Sequence, residues 1–252
     1  MQTRSGADIT FDGDVVTKLH RPGADPRALR TRLTVADELH GTLLAPLTVV
    51  PEQVGTRWRS RWPRVDVVVP QPELLPWAEA GALLARLHAQ PVAARLPHGW
   101  PVRLRRAVER LRGTGAAAEA VRRAVVGLPP EVWRAGSPGR PSTVVHGDFH
   151  LGQLGRRGSG QPWVLIDIDD LGVGDPAWDL ARPAGFWAAG HIPDDDWSAF
   201  LGAYRQAGGA ALVAASADPW PVLEPFARAA VVAAAVNHPD DDLLVDACAR
   251  MI

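Results

Sequence analysis

Between residues 146 and 181 the chain gathers residue types that can hold a cation and move a proton. The order is His146-Gly147-Asp148-Phe149-His150, then Gln153, then Ile166-Asp167, then Gly174-Asp175-Pro176 and Asp179-Leu180-Ala181. Asp148 follows a β-favouring run, Thr143-Val144-Val145, and Gly147 permits close backbone approach. A carboxylate just past a strand end can accept a hydroxyl proton while the oxygen attacks phosphorus. Gln153 and Asp167 both offer oxygen, the donor that hard Mg²⁺ prefers. Asp167 lies 19 residues after Asp148 (167 − 148), a spacing that predicts a hairpin returning Asp167 beside the Asp148 loop. A base or orienter, a metal-holding amide and a metal-holding aspartate are the parts that phosphoryl transfer requires.

The neighbouring polar residues carry plainer expectations. Asp175, before Pro176, reads as a helix N-cap, and Asp179 as a structural brace. Asp169 and Asp170 either assist a metal or face water, and facing water is the favoured reading. His146 and His150 read as loop histidines that satisfy backbone groups. The alternative is a zinc cluster of His146, Asp148, His150 and Asp167, which would make a metal-dependent hydrolase.

The chain has 27 Lys plus Arg, and Lys18 is the sole lysine among them. Lysine is a compact point charge and arginine a planar fork, so the two differ where one phosphate is met at close range. Lys18 is therefore a candidate for the α- and β-phosphates of a nucleotide. A helix carboxylate should orient it; Asp37 and Glu38 are the candidates, and the sequence does not choose between them.

These residues need elements to place them. Asp12-Gly13 between two β-favouring runs predicts a hairpin over 7–20, with Lys18 on its second strand. A helix follows over 26–40, with Asp25 as N-cap, Pro26 in its first turn and Gly41 as stop. Residues 43–70 read as β-rich, with strands at 47–50 and 65–69 split by the basic, Trp-containing segment 57–64. Pro70, Gln71 and Pro72 mark the boundary between an N-terminal lobe, 1–70, and a C-terminal lobe, 71–252. Beyond it, apolar periodicity and breakers predict helices over 76–89, 101–112, 116–126, 176–189, 194–207, 219–236 and 240–250. The fold class is α+β: a small β-rich lobe and a larger helical one. The acidic triplets Asp194-Asp195-Asp196 and Asp240-Asp241-Asp242 fall at helix starts, where carboxylates favour the dipole. The arginines of 103–123 read as a solvated helical face.

Bulk properties narrow the class. Net charge is -1, so the molecule as a whole has no electrostatic pull toward nucleic acid or anionic membrane. A single cysteine, Cys248, leaves no disulfide framework. The first residues lack the apolar core of a signal peptide, and the longest apolar run, 229–236, is far short of a bilayer span. The expectation is a cytoplasmic protein.

The paired blocks resemble the aminoglycoside phosphotransferase and choline kinase-like family, with its protein-kinase-like bilobal fold. That family's pattern is His-Gly-Asp-x-His-x-x-Asn, then Ile-Asp and Gly-Asp-Pro-x-x-Asp-Leu-Ala. Here His150-Leu151-Gly152-Gln153 places Gln where Asn is usual, a variant similar to maltokinase-like relatives. No Gly-rich phosphate loop is visible. The resemblance implies Asp148 as catalytic base, Mg²⁺ on Gln153 and Asp167, and Lys18 on the phosphates of ATP or GTP. It places adenine on backbone groups near 68–71, and an acceptor pocket on the helices after Pro176, with Trp178, Trp187, Trp197 or Trp220 in its wall. The acceptor would be a small hydroxylated molecule: an aminoglycoside, another antibiotic, a sugar or an amino alcohol. The short N-terminal lobe keeps open a non-catalytic, kinase-like binding protein as the alternative.

Overall fold

The structure is a computed structural model that describes residues 6–69, 71, 75–91, 96–212 and 218–251. The chain forms two compact units. The first takes in Met1–Leu75, Ala93–Leu96 and Leu151–Asp169; the second takes in Pro76–Val92, Pro97–His150 and Asp170–Ile252. The first unit thus includes a segment well beyond the first seventy residues.

In the first unit, β1 (Asp8–Asp12) and β2 (Val15–Leu19) form the hairpin expected at Asp12-Gly13. Gly13 has φ 55°, a turn conformation that glycine adopts without a Cβ penalty. Helix α1 (Pro26–Glu38) starts where Asp25 accepts a hydrogen bond from Arg27 N at 2.9 Å, and it buries Leu29, Leu33 and Ala36.

Residues 47–50 form no strand. With β3 (Glu52–Val54), the strand of this region is β4 (Arg57–Pro63), inside the basic segment expected to split two strands. The physical reason is alternation. Arg57, Arg59 and Arg61 alternate with Trp58, Ser60 and Trp62, and Ser60 and Trp62 are buried. The sheet order is β1-β2-β4-β3, all antiparallel, and the register sets Lys18 opposite Ser60. A second sheet joins β5 (Asp66–Val67), β7 (Leu154–Arg156) and β8 (Val164–Leu165) in that order.

The second unit is helical: α2 (Trp77–His88), α3 (Trp100–Arg110), α4 (Ala116–Val126), α5 (Ala177–Ala189), α6 (Asp194–Gln206), α7 (Trp220–Asn237) and α8 (Asp242–Ala249). Helix α5 packs chiefly on α7 and α2 on α6. The α5–α7 approach is close because Gly185 lies against the Ala227 carbonyl, where a Cβ would sit at 2.7 Å. All three of Asp194, Asp195 and Asp196 fall in the first turn of α6, and Asp241 caps α8 by accepting from Leu244 N at 3.2 Å. Among the described residues of this unit, β6 (Thr143–Val145) pairs with β9 (Gly172–Gly174).

That pairing revises the expected hairpin. The strand before Asp148 pairs with β9, and the strand before Asp167 pairs with β7. Asp148 belongs to the second unit, while Gln153 and Asp167 belong to the first. Among the described residues no helix is long and apolar enough to cross a membrane.

Candidate active site

Asp148 sits in a loop that is fixed from beneath. The Asp179 carboxylate, fully buried, accepts from His146 N at 2.7 Å and Gly147 N at 2.9 Å. His88 Nε2 lies 3.1 Å from the same carboxylate, and His88 Nδ1 lies 2.8 Å from the Tyr204 hydroxyl. Burial penalises the Asp179 charge, but His88, His146 and the Gly147 N–H outweigh it and hold the group below the usual carboxylate range. Gly147 has φ 82°, and a Cβ there would collide with the Asp170 carbonyl. Two backbone donors and a glycine-only conformation therefore set where Asp148 points.

The Asp148 carboxylate meets two cations. Arg103 Nη2 lies 2.9 Å from Oδ2, and Arg182 Nη1 lies 3.6 Å from Oδ1. Arg103 also pairs with Asp170. Oδ1 is buried and has no hydrogen-bond donor among the described residues. Burial pushes the Asp148 carboxyl above its ordinary pKa, and Arg103 and Arg182 offset only part of that. A carboxylate with raised basicity and an oxygen that accepts no hydrogen bond is suited to taking a hydroxyl proton.

The other expected residues are built on the first unit. Lys18 Nζ is 2.7 Å from Asp167 Oδ1 and 2.8 Å from Asp169 Oδ2. Burial disfavours its charge, yet the two carboxylates prevail and raise its pKa. Asp167 follows β8 with φ 62°, a left-handed backbone that is uncommon outside glycine and that clusters at functional sites. Gln153 is buried, and its carbonyl accepts from Ile166 N at 2.8 Å, one residue before Asp167. The hairpin thus ties the amide-bearing residue to the chain that carries the carboxylate.

Several expectations change. Asp37 and Glu38 are exposed on α1, and Lys18 is paired with Asp167 and Asp169 instead. Asp169 does not simply face water: it holds Lys18, and its Oδ1 lies 3.3 Å from His20 Nδ1. Burial works against its charge, and Lys18 and His20 overcome this and lower its pKa. Arg103 is part of the site rather than of a solvated face. Asp175 accepts from Ala177 N at 3.0 Å, as a cap does, and is gripped by Arg140 at 2.7 and 2.9 Å. Trp178 and Trp197 are core: Trp178 stacks on Trp100 at 5.1 Å and Trp197 on Trp187 at 5.3 Å. No three His, Cys, Asp or Glu side chains converge as a metal-ligand set among the described residues. In the segment expected to hold adenine, Pro70 lies outside the described residues.

Asp167 and Asp169 already share one cation, the Lys18 ammonium. The Asp167 carboxylate and the buried Gln153 carboxamide are hard oxygen donors and fit Mg²⁺ by donor type.

Residues 7–226 match the model of the phosphotransferase enzyme family. The chain belongs to that family. It is a small-molecule kinase with a protein-kinase-like fold. Similar solved structures include a choline/ethanolamine kinase family protein from Mesorhizobium loti, 16% identical over 97% of this chain and 83% of that one, TM-score 0.59. An aminoglycoside phosphotransferase from Streptomyces rimosus is 16% identical over 90% and 93%, TM-score 0.57. A spectinomycin phosphotransferase in complex with ADP and spectinomycin is 13% identical over 98% and 81%, TM-score 0.56. At these identities the likeness is one of fold. No curated protein matches the chain.

Proposed function

We propose that this kinase transfers the γ-phosphoryl group of ATP or GTP to a hydroxyl of a small molecule, with Asp148 as the base. The acceptor oxygen forms a bond to the γ-phosphorus, and the bond from that phosphorus to the β-phosphate bridging oxygen breaks. The hydroxyl proton passes to Asp148, and the nucleoside diphosphate leaves. Gln153 and Asp167 would hold Mg²⁺, whose chemistry is to neutralise charge on the β- and γ-phosphates. Lys18 meets the phosphates as a point charge. In this reading residues 1–70 serve the nucleotide, and 71–252 supply the catalytic loop and the acceptor pocket.

The observation that carries the reading is Asp148 Oδ1, which accepts no hydrogen bond among the described residues and is buried beside two guanidinium groups in a loop clamped by Asp179. Positioning and electrostatics supply most of the rate in this chemistry, so one well-placed acceptor oxygen is enough. Acceptors named for similar structures, among them spectinomycin, other aminoglycosides and choline or ethanolamine, form the first panel to test. Resistance to an antibiotic on expression in a sensitive bacterium would identify a drug acceptor. Asp148→Ala should abolish product while Mg-ATP still binds by calorimetry. Near-normal turnover in that variant would remove Asp148 as base.

A further inference from the structure

The carboxylate that orients Lys18 was expected on α1, and the first unit supplies it elsewhere. Four side chains stand behind the ammonium in one connected line. Trp62 Nε1 donates to Ser60 Oγ at 2.9 Å. Ser60 Oγ lies 2.8 Å from His20 Nε2. His20 Nδ1 lies 3.3 Å from Asp169 Oδ1, and Asp169 Oδ2 lies 2.8 Å from Lys18 Nζ. The directions close without conflict. The indole N–H occupies the serine oxygen, the serine O–H then points to Nε2, and Nδ1–H points to Asp169; each donor is used once. Lys18, His20, Ser60 and Trp62 are all buried. The β2–β4 register places Lys18 opposite Ser60, and Asp169 joins the line from the turn that follows β8.

Asp167 and Asp169 differ in what holds them. Asp167 has Lys18 as its ion-pair partner and 39% side-chain exposure. Asp169 has Lys18 on one oxygen and the His20 chain on the other. When a divalent cation takes Asp167, Asp169 remains as the partner fixed by the protein.

We infer that Asp169, braced by His20, Ser60 and Trp62, is the positioning residue for Lys18, doing in the β-sheet unit what a helix carboxylate was expected to do. This rests on the nucleotide-dependent reading above. The role is one of positioning: Asp169 acts on the nucleotide through the lysine.

Lys18 being the sole lysine makes the test direct. Selective isotope labelling of lysine gives a single side-chain ammonium signal, read without nucleotide. The signal should be sharp in the wild-type protein, lost to water exchange in Asp169→Asn and His20→Gln, and kept in Asp37→Asn and Glu38→Gln. In parallel, Mg-ATP affinity should fall about tenfold or more in Asp169→Asn, the scale of a lost hydrogen bond to a charged group. It should stay at the wild-type value in the two α1 variants, with melting temperature as the folding control. If Asp169→Asn does not fold, His20→Gln carries both readouts. An unchanged ammonium signal in folded Asp169→Asn or His20→Gln overturns the inference, as does a loss of affinity confined to the α1 variants. A wild-type protein with an Asp169-dependent signal but no nucleotide binding would sink the kinase reading and leave the positioning role standing.

Discussion

Lys18→Met should make the protein bind a bare divalent cation more tightly while it binds nucleotide less well. The ammonium lies 2.7 Å from Asp167 Oδ1, so it occupies a place a metal would take on that oxygen. Any cation entering without nucleotide must displace it or share the Asp167 carboxylate with it. At 2.7 Å the Coulomb attraction of one such pair is about 6 kcal/mol at an effective dielectric of about 20, and about 1.5 kcal/mol at the value for water. Asp167 is 39% exposed, so the lower end applies. About 1.4 kcal/mol is a factor of about ten in affinity. Manganese binding, followed by the electron paramagnetic resonance of the free ion in the absence of nucleotide, should therefore strengthen about tenfold in Lys18→Met. Lys18→Arg keeps the charge and should stay near the wild type. Mg-ATP affinity should move the other way in Lys18→Met, because the phosphates lose their point charge. Equal or weaker manganese binding in the folded methionine variant would refute the view that the lysine and the metal compete for the Asp167 carboxylate.

Two further outcomes follow from the second unit. The acidic limb of the rate profile should lie above the range of an ordinary aspartate, since burial raises the Asp148 pKa and the base must be deprotonated to act; Arg103→Ala removes a stabilising cation and should move that limb to still higher pH, measured as kcat/KM against pH. Asp179→Ala strands the His146 and Gly147 N–H donors and the His88 ring, and at about 1–3 kcal/mol for each buried donor left unmade it should lower stability by about 3 kcal/mol or more in urea unfolding. The lowered Asp179 pKa sets the sign of the pH effect: its stabilisation is full above the unfolded-state value and is lost as pH falls through the folded one, so wild type and variant should converge in acid.

What the sequence revealed and what it hid divide along one physical line. Local periodicity was legible. Asp12-Gly13 gave the hairpin, Asp25 and Pro26 gave the start of α1, and the acidic triplet gave the start of α6, because each signal acts within a few residues. The strand at β4 was legible too, in the alternation of Arg57, Arg59 and Arg61 with Trp58, Ser60 and Trp62, but a search for apolar runs passes over a strand whose outer face is arginine. Pairings over long separations were hidden. Lys18 meets a carboxylate 149 residues away, and no property of Asp37, Glu38, Asp167 or Asp169 read singly says which one it meets. Arg103 is likewise one arginine among many on an Arg-rich stretch until its distance to Asp148 is known. Strand pairing was hidden in the same way. The residues flanking Asp148 and Asp167 suggest two strands that pair with each other, whereas β6 pairs with β9 and β8 with β7. Motif spacing therefore identifies which side chains take part, and strand register decides which of them share a charge. In this chain the register of β2 on β4 sets Lys18 opposite Ser60, and the His20 bridge from Ser60 to Asp169 completes the lysine's surroundings.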